Sequence, residues 1–371
     1  MANSSLSSGS LIARNYKSFR GVDFSNRKDE ISLYRSPDAL NMWKNYKNSM
    51  GNCIETRPDL ELIKTCEDTI YGFYIFNGNK IIHVGTKLFK NDTVIYSSMA
   101  RHESKFFIYE NKLYIKDSVK YLVYDGTNCK EVEGYIPTTS VTRKPLGGGT
   151  RNEDINFLTG LRKNQFVGDG TSKDYYLDVE SFDTDYTPIV WVNGTKTTAF
   201  TANASKGVIT FTTAPSKPAT DGQDNVIIQF KKTVSGERAK IEKCTLLEVF
   251  DNRVFFSGNP DYPNMLWHCA LNDPTYCRDT DYYTEGVDDG AIKALVAGNN
   301  ALWVMKEPSQ TNTTIFYHNP TIDDTEGKIY PSIHSSISTG CVSVGINFND
   351  DICFFSERGL EAISGDVTTE Q

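Results

Sequence analysis

Short apolar runs broken by Asn, Asp and Gly recur along this chain, and almost none carries the spacing of an amphipathic helix. The clearest unit lies at 249–276. Val254-Phe255-Phe256 follows an Asp251-Asn252 turn signal, several turn formers interrupt it, and Met265-Leu266-Trp267 starts a second apolar segment. This predicts a strand, a structural turn at Gly258, Asn259, Pro260 and Asp261, and a second strand. Hairpins are predicted on both sides of it: 70–76 with 80–84 across Asn77-Gly78-Asn79, and 106–109 with 112–116 across Glu110-Asn111. Others are 295–297 with 301–305 across Asn299-Asn300, and 352–356 with 360–363 across Glu357-Arg358-Gly359. Asn-Gly between apolar runs is a strong hairpin signal, because its turn needs positive φ at both residues. Further strands are expected at 31–34, 54–57, 88–89, 94–96, 121–124, 243–250 and 315–317.

The pattern changes near Pro137. Residues 138–142 are β-branched and polar, and Lys144-Pro145-Leu146-Gly147-Gly148-Gly149 reads as a flexible connection. Strands are then predicted at 175–179, 189–192, 208–212 and 226–230, with a turn at Asn193-Gly194, as in a small β-sandwich. The expected fold is all-β: a β-propeller-like antiparallel meander with an inserted small β-sandwich domain. Its predicted parts are an N-terminal arm (1–24), a first propeller-like part (25–150), the insert (151–234) and a second propeller-like part (235–371). Four strands per blade leave room for four or five incomplete blades. Either the chain is truncated from a longer one or a neighbour supplies the missing edge. No exact repeat of blade length is evident.

Composition narrows the function. Of the 371 residues, 39% are hydrophobic and 23% charged, which is a globular balance, and the 12% aromatic share suits pleated sheets. A net charge of -8 excludes a generally basic surface, so tight non-specific DNA binding is not expected. The eight Cys form no Cys-x-x-Cys pair and read as free, buried thiols. The start lacks a signal-peptide pattern and no apolar run is long enough for a membrane-spanning segment, so a soluble chain without an export signal is expected.

Enzyme chemistry is not called for. His268, Cys269 and Asp273 lie close in sequence, yet adjacent strand residues point to opposite faces. The carboxylates of 279–289 and 323–326 lack EF-hand spacing and read as solvated loops. Residues 181–185 come nearest to a sialidase Asp-box and lack its Gly and aromatic positions. Trp43, Trp191, Trp267 and Trp303 read as packing residues. No cofactor, metal or catalytic residue is assigned.

Phe19-Arg20-Gly21-Val22-Asp23, Ser36-Pro37-Asp38-Ala39-Leu40-Asn41-Met42, Glu55-Thr56-Arg57-Pro58, the segment 253–260 with Asn272-Asp273-Pro274, and 355–360 occur in that order. In this the chain resembles the tail nozzle or tail tubular proteins of short-tailed bacteriophages and related connector-distal virion proteins. In that family Arg-Pro is usually followed by Gly, where this chain has Asp59. The resemblance implies a non-enzymatic structural protein of the virion tail, assembled in the bacterial host cytoplasm. It implies a homo-oligomeric ring, commonly a hexamer, that meets a portal-side connector or adapter and other tail proteins and lets genomic DNA pass without tight binding. Phe19, Arg20, Asp23, Pro37, Asp38, Asn41 and Met42 are the expected docking residues. The competing expectation is a carbohydrate-binding or glycan-cleaving β-propeller on a phage or bacterial surface. A secreted bacterial adhesin is a third, disfavoured by the lack of an export signal.

Overall fold

Six two-residue turns recur among the described residues, at Asn77-Gly78, Glu110-Asn111, Asn193-Gly194, Asp251-Asn252, Asn299-Asn300 and Asn349-Asp350, and both residues of each have positive φ. Two left-handed residues in succession make a type I′ turn, whose twist matches that of the strands it joins. Glu110 alone among them is not Asn, Asp or Gly.

The computed structural model describes residues 20–23, 25–45, 53–57, 59–62, 64–323, 327–364 and 367–370, with the backbone alone for 43–45, 53, 54, 327, 364 and 367–370. Among them the structure is nearly all strand, with one six-residue helix, α1 (Glu237–Glu242), and one 3-10 turn. None of these residues forms a helix long and apolar enough to cross a membrane. The chain divides into two units, Met1–Thr65 and Cys66–Gln371. In the first unit the hairpin Met42–Asn45 with Cys53–Thr56 forms, whereas 31–34, expected as a strand, is a turn closed by the Arg35 N–H on the Ser32 carbonyl at 2.9 Å.

In the second unit each of these turns except Asn193-Gly194 joins the first two strands of a four-stranded antiparallel sheet. The first strands are Ile70–Phe76, Lys105–Tyr109, Leu246–Phe250, Ile292–Gly298 and Gly345–Phe348. The second strands are Asn79–Val84, Lys112–Lys116, Arg253–Ser257, Ala301–Lys306 and Asp351–Ser356. The five sheets stack, and strand alternation assigns each residue to one of two neighbours. On the second strands, Leu113, Val254, Leu302 and Ile352 face the preceding sheet. Ile81, Tyr114, Phe255 and Trp303 face the following one. Four apolar joints result: Ile81 and Leu88 against Leu113 and Ile115; Tyr114 and Tyr121 against Phe256 and Trp267; Phe255 and Leu266 against Leu302 and Val304; Trp303 and Met305 against Ile352 and Phe354. Fully burying each such side chain is worth about 1.5–3 kcal/mol.

Between the second and third sheets the chain forms a six-stranded sheet, in the order Thr150–Arg151, Thr138–Arg143, Leu161–Phe166, Val226–Lys231, Ile189–Val192, Thr195–Thr197. A three-stranded sheet, Asp174–Tyr176, Val208–Phe211, Phe200–Asn203, shares its core through Phe166, Tyr175, Ile209 and Phe230. One expectation changes here. Residues 138–142 are a strand within this sheet, and Lys144 to Gly149, expected as a flexible connection, is a hairpin turn in which Lys144 and Gly147 exchange backbone hydrogen bonds.

Candidate functional site

The two segments expected to dock are brought together. Val22 and Ser36 form a parallel bridge, in which the Asp23 N–H donates to the Ser36 carbonyl at 2.9 Å and the Ser36 N–H donates to the Gly21 carbonyl at 3.1 Å. Arg20 is exposed, with its guanidinium 5.7 Å from the Tyr34 ring centre. Asp23 is buried. The Asn26 amide, then the backbone N–H groups of Ser25 and Asn26 and the Arg35 guanidinium, hold its carboxyl below the usual range. Asp23 therefore organises this loop and does not itself face outward. Pro37 is half-buried. Asp38, Asn41 and Met42 are exposed, and Asn41 (φ 55) accepts the Arg57 N–H at 2.8 Å where the hairpin opens. Phe19, Phe24, Pro58 and most of the arm lie outside the described residues, as does the side chain of Trp43.

The Gly258 to Asp261 turn ties the third sheet to α1. Asn259 is buried and donates through Nδ2 to the Ala239 and Lys240 carbonyls at 3.2 and 2.9 Å. Its Oδ1 accepts the Asp261 N–H at 2.9 Å, and Asp261 pairs with Lys243 at 2.6 Å. Gly258 has φ 72, and a Cβ there would lie 2.5 Å from Thr245 Oγ1. Pro260 is exposed at the tip.

Potential reacting groups do not converge. His268 faces Phe255, in the joint between the third and fourth sheets, while Cys269 lies in the joint between the second and third, its sulfur 3.1 Å from that of Cys277. Burial pushes the Cys269 thiol well above its ordinary pKa, the opposite of an activated nucleophile. The acidic loop after Arg278 is solvated only in part: Asp289 is exposed, whereas two of its carboxylates are buried. Asp281 is buried against Arg278, and Glu285 is fully buried between His318 (2.9 Å) and Ser332 (2.6 Å). Asp288 pairs with Lys306, whose buried ammonium needs acceptors. Residues 324–326 lie outside the described set. Among the described residues no group of three or more His, Cys, Asp or Glu is placed to hold a metal. Trp267 and Trp303 are buried in joints, and Trp191 is half-buried on the strand Ile189–Val192.

A cavity of about 350 Å³ opens beside the six-stranded sheet, lined by Arg143, Arg151, Arg162, Glu153, Asp178 and Asp279 with no aromatic residue. Some of its polar groups are held by the walls, whereas Arg143 Nε, Arg162 Nε and Asp279 Oδ1 are buried without a hydrogen-bond partner among the described residues. The Arg143 guanidinium donates to the Tyr176 and Leu177 carbonyls at 3.0 and 3.1 Å, Glu153 accepts from Tyr135 at 3.0 Å, and Asp178 accepts from Thr139 at 2.5 Å.

The least satisfied surfaces are the two ends of the stack. On the first sheet Phe73, Ile82, Phe89 and Val94 stand in one cross-strand row on the face turned away from the second sheet; Phe73 is 54% exposed and Val94 44%, while Ile82 between them is buried and Phe89 half-buried. Ile75 shares that face, opposite Lys80. On the fifth sheet the face turned away from the fourth carries Ile346, Phe348, Phe355 and Leu360, with Phe348 67% exposed and Asp351 opposite it. Exposed aliphatic and aromatic side chains grouped on one sheet face are candidates for an interaction surface. Sequence reading missed both, because nothing local separates a face covered by a neighbouring sheet from one that is not.

No protein-family model and no curated protein sequence matches the chain. Among solved structures it is similar to PorZ, an essential bacterial surface component of the type-IX secretion system of Porphyromonas gingivalis, at 10% identity and a TM-score of 0.30. The match covers 82% of this chain and 32% of PorZ, so this chain spans about a third of that protein, and the likeness is too loose to transfer fold or function.

Proposed function

We propose that this chain is a non-enzymatic structural subunit of a phage tail or tail adapter. It would work as one segment of a ring of identical copies around a channel that retains and delivers genomic DNA. The observation that carries this reading is the stack of five four-stranded antiparallel sheets joined through apolar faces. We read the sheets as blades of a propeller and the six- and three-stranded pair as an inserted sandwich. Exposed Phe73 and Ile75 on the first sheet and Ile346 and Phe348 on the fifth suit lateral association. The exposed segment from Asp38 to Met42 is then a surface for a connector above the ring, and a net charge of -8 lets a polyanion pass without counterion-release binding.

Electron microscopy of the purified chain, alone and with its connector, tests this: rings with a central hole are expected. Monodisperse monomers at micromolar concentration, together with binding on a glycan array, would instead favour a carbohydrate-binding surface module, for which the carboxylate-lined cavity beside the six-stranded sheet is the place to look.

A further inference from the structure

We infer that the cavity between the six-stranded sheet and the loop after Cys277 binds a small hydroxylated organic anion: Arg143 and Arg162 receive its carboxylate or phosphate, and Asp279 accepts from a hydroxyl of the same molecule. The inference goes beyond the ring reading and does not depend on it.

Unsatisfied polar atoms are concentrated at this place. Three of the lining side chains carry a buried polar atom without a hydrogen-bond partner among the described residues: Arg143 Nε, Arg162 Nε and Asp279 Oδ1. Elsewhere among those residues only the Tyr175 hydroxyl is in the same position. Buried polar groups ordinarily have partners, so an orphaned set around one cavity points to a ligand. At about 350 Å³ the cavity is at the small end of ligand pockets, and no aromatic ring lines it. A compact polar molecule suits it better than a flat apolar one.

Charge gives the sign of that molecule. Arg143 and Arg162 are 8% and 9% exposed, and neither forms an ion pair among the described residues. Buried charges are ordinarily paired. Other donors of both groups are committed: Arg143 to the Ser140 hydroxyl at 3.2 Å and the Tyr176 and Leu177 carbonyls, Arg162 to the Lys232 carbonyl at 3.0 Å. These bonds hold the guanidinium groups in place and leave each Nε–H to a ligand. Burial lowers the pKa of both arginines, a cost that a bound anion offsets. Glu153 does not fill that role, since its two oxygens accept from the Tyr135 hydroxyl at 3.0 Å and the Thr138 N–H at 2.5 Å.

Asp279 adds the need for a hydroxyl. Its N–H donates to the Ile155 carbonyl at 3.1 Å, and the adjacent Asn156 donates to the Tyr135 and Thr275 carbonyls at 2.9 and 2.8 Å and accepts the Cys277 N–H at 3.1 Å. The loop is thus pinned with Oδ1 unused. Burial, and after it the charge of Asp154, raises the Asp279 carboxyl above its ordinary pKa, so a second negative group there is disfavoured and an O–H donor is favoured. A molecule that is anionic at one end and hydroxylated at the other satisfies all three atoms. Neutral sugar or inorganic phosphate satisfies only some of them.

The test titrates full chain labelled with 15N-arginine with D-glucuronate, glycerol 3-phosphate, D-glucose and inorganic phosphate, following Nε–H signals by NMR and affinity by calorimetry. Glucuronate or glycerol 3-phosphate should shift the signals that Arg143→Lys and Arg162→Lys remove, and should bind about tenfold or more tightly than glucose or phosphate. The tighter of the two tells carboxylate from phosphate. Arg162→Lys keeps the charge, loses the Nε–H and should weaken binding. Asp279→Ala should weaken the hydroxylated anions about tenfold and leave inorganic phosphate unchanged. If no probe moves these signals at millimolar concentration, water alone fills the cavity and the inference falls. Equal affinity for glucose and glucuronate would also overturn it, as would Asp279→Ala weakening inorganic phosphate as much as glucuronate. Ring formation, scored separately by electron microscopy, stands or falls independently of these outcomes.

Discussion

The third and fifth sheets are built on nearly the same second strand. Arg253–Ser257 reads RVFFS and Asp351–Ser356 reads DICFFS, each following a type I′ turn. Yet every residue of the first is buried, while the second leaves Asp351 and Phe355 exposed. Composition does not account for the difference; neighbours do. The third sheet has one sheet on each face; among the described residues the fifth has a sheet packed on the face that carries Ile352 and Phe354. Polar residues follow the same division. Glu285, His318 and Lys306 are buried where covered sheets demand internal partners, whereas Asp351 on the fifth sheet is exposed and Lys80 on the first is half-buried.

The largest effect expected from this comparison comes from truncating an aromatic residue at each place. Phe256→Ala empties a site in the joint between the second and third sheets, where the ring meets Tyr121 at 5.5 Å, and should cost about 3–5 kcal/mol of unfolding free energy. Phe348→Ala on the open face should change the monomer by less than about 0.5 kcal/mol. Urea titrations of both variants, at a concentration too low for association, decide it; equal losses would mean that the fifth sheet's outer face is covered within the chain.

Alkaline pH separates the two regions next. Burial pushes the Cys244 thiol, in the joint between the second and third sheets, up to about 12, and raises that of Cys353 at the end sheet above its ordinary value. A thiol that stays protonated in the folded chain but ionises near pH 9 in the unfolded one adds stability that is complete below pH 9. That stability is lost as pH rises toward the folded value. The slope is roughly 1.4 kcal/mol per pH unit for each such group. Unfolding free energy measured from pH 8.5 to 11 should therefore fall less steeply in Cys244→Ala, with a smaller change in Cys353→Ala. An unaltered slope in Cys244→Ala would show that water reaches this joint.

Much of this fold was legible locally and its arrangement was not. Asn77-Gly78, Glu110-Asn111, Asp251-Asn252 and Asn299-Asn300 each announce a hairpin, and the strands beside them form as expected. Their equivalence as one repeated unit is hidden for two reasons. The turns share a conformation more than a sequence, and the two sheets formed by 138–231 separate the second repeat from the third. Residues 31–34 show the opposite failure: apolar content suggested a strand, but the Arg35 N–H closes on the Ser32 carbonyl and the segment is a turn, with the Tyr34 carbonyl accepting the Arg20 N–H. The acidic loop after Arg278 was misread because burial of Asp281 and Glu285 depends on Arg278, His318 and Ser332, two of which come from the next sheet. The end faces could not be seen at all, since a period of two reports which side chains share a face and says nothing about what lies across from it.

The smallest effect is the cleanest comparison, because it holds backbone strain constant. Gly78 in the first sheet has φ 73 and Gly258, at the end of a second strand in the third sheet, has φ 72. Adding a Cβ imposes the same left-handed penalty at both, about 1–2 kcal/mol. Around Gly78 the new methyl meets nothing within 4 Å, whereas at Gly258 it would lie 2.5 Å from Thr245 Oγ1 and 3.0 Å from Leu246 Cγ. Gly258→Ala should therefore lose about 1–3 kcal/mol more than Gly78→Ala, the cost of overpacking a filled site. Shrinking the neighbour in Thr245→Ala should recover part of the Gly258→Ala loss while leaving Gly78→Ala unchanged. Equal losses for the two glycine variants would show that the middle of the stack yields as readily as its rim, and that strain, not packing, selects glycine at 258.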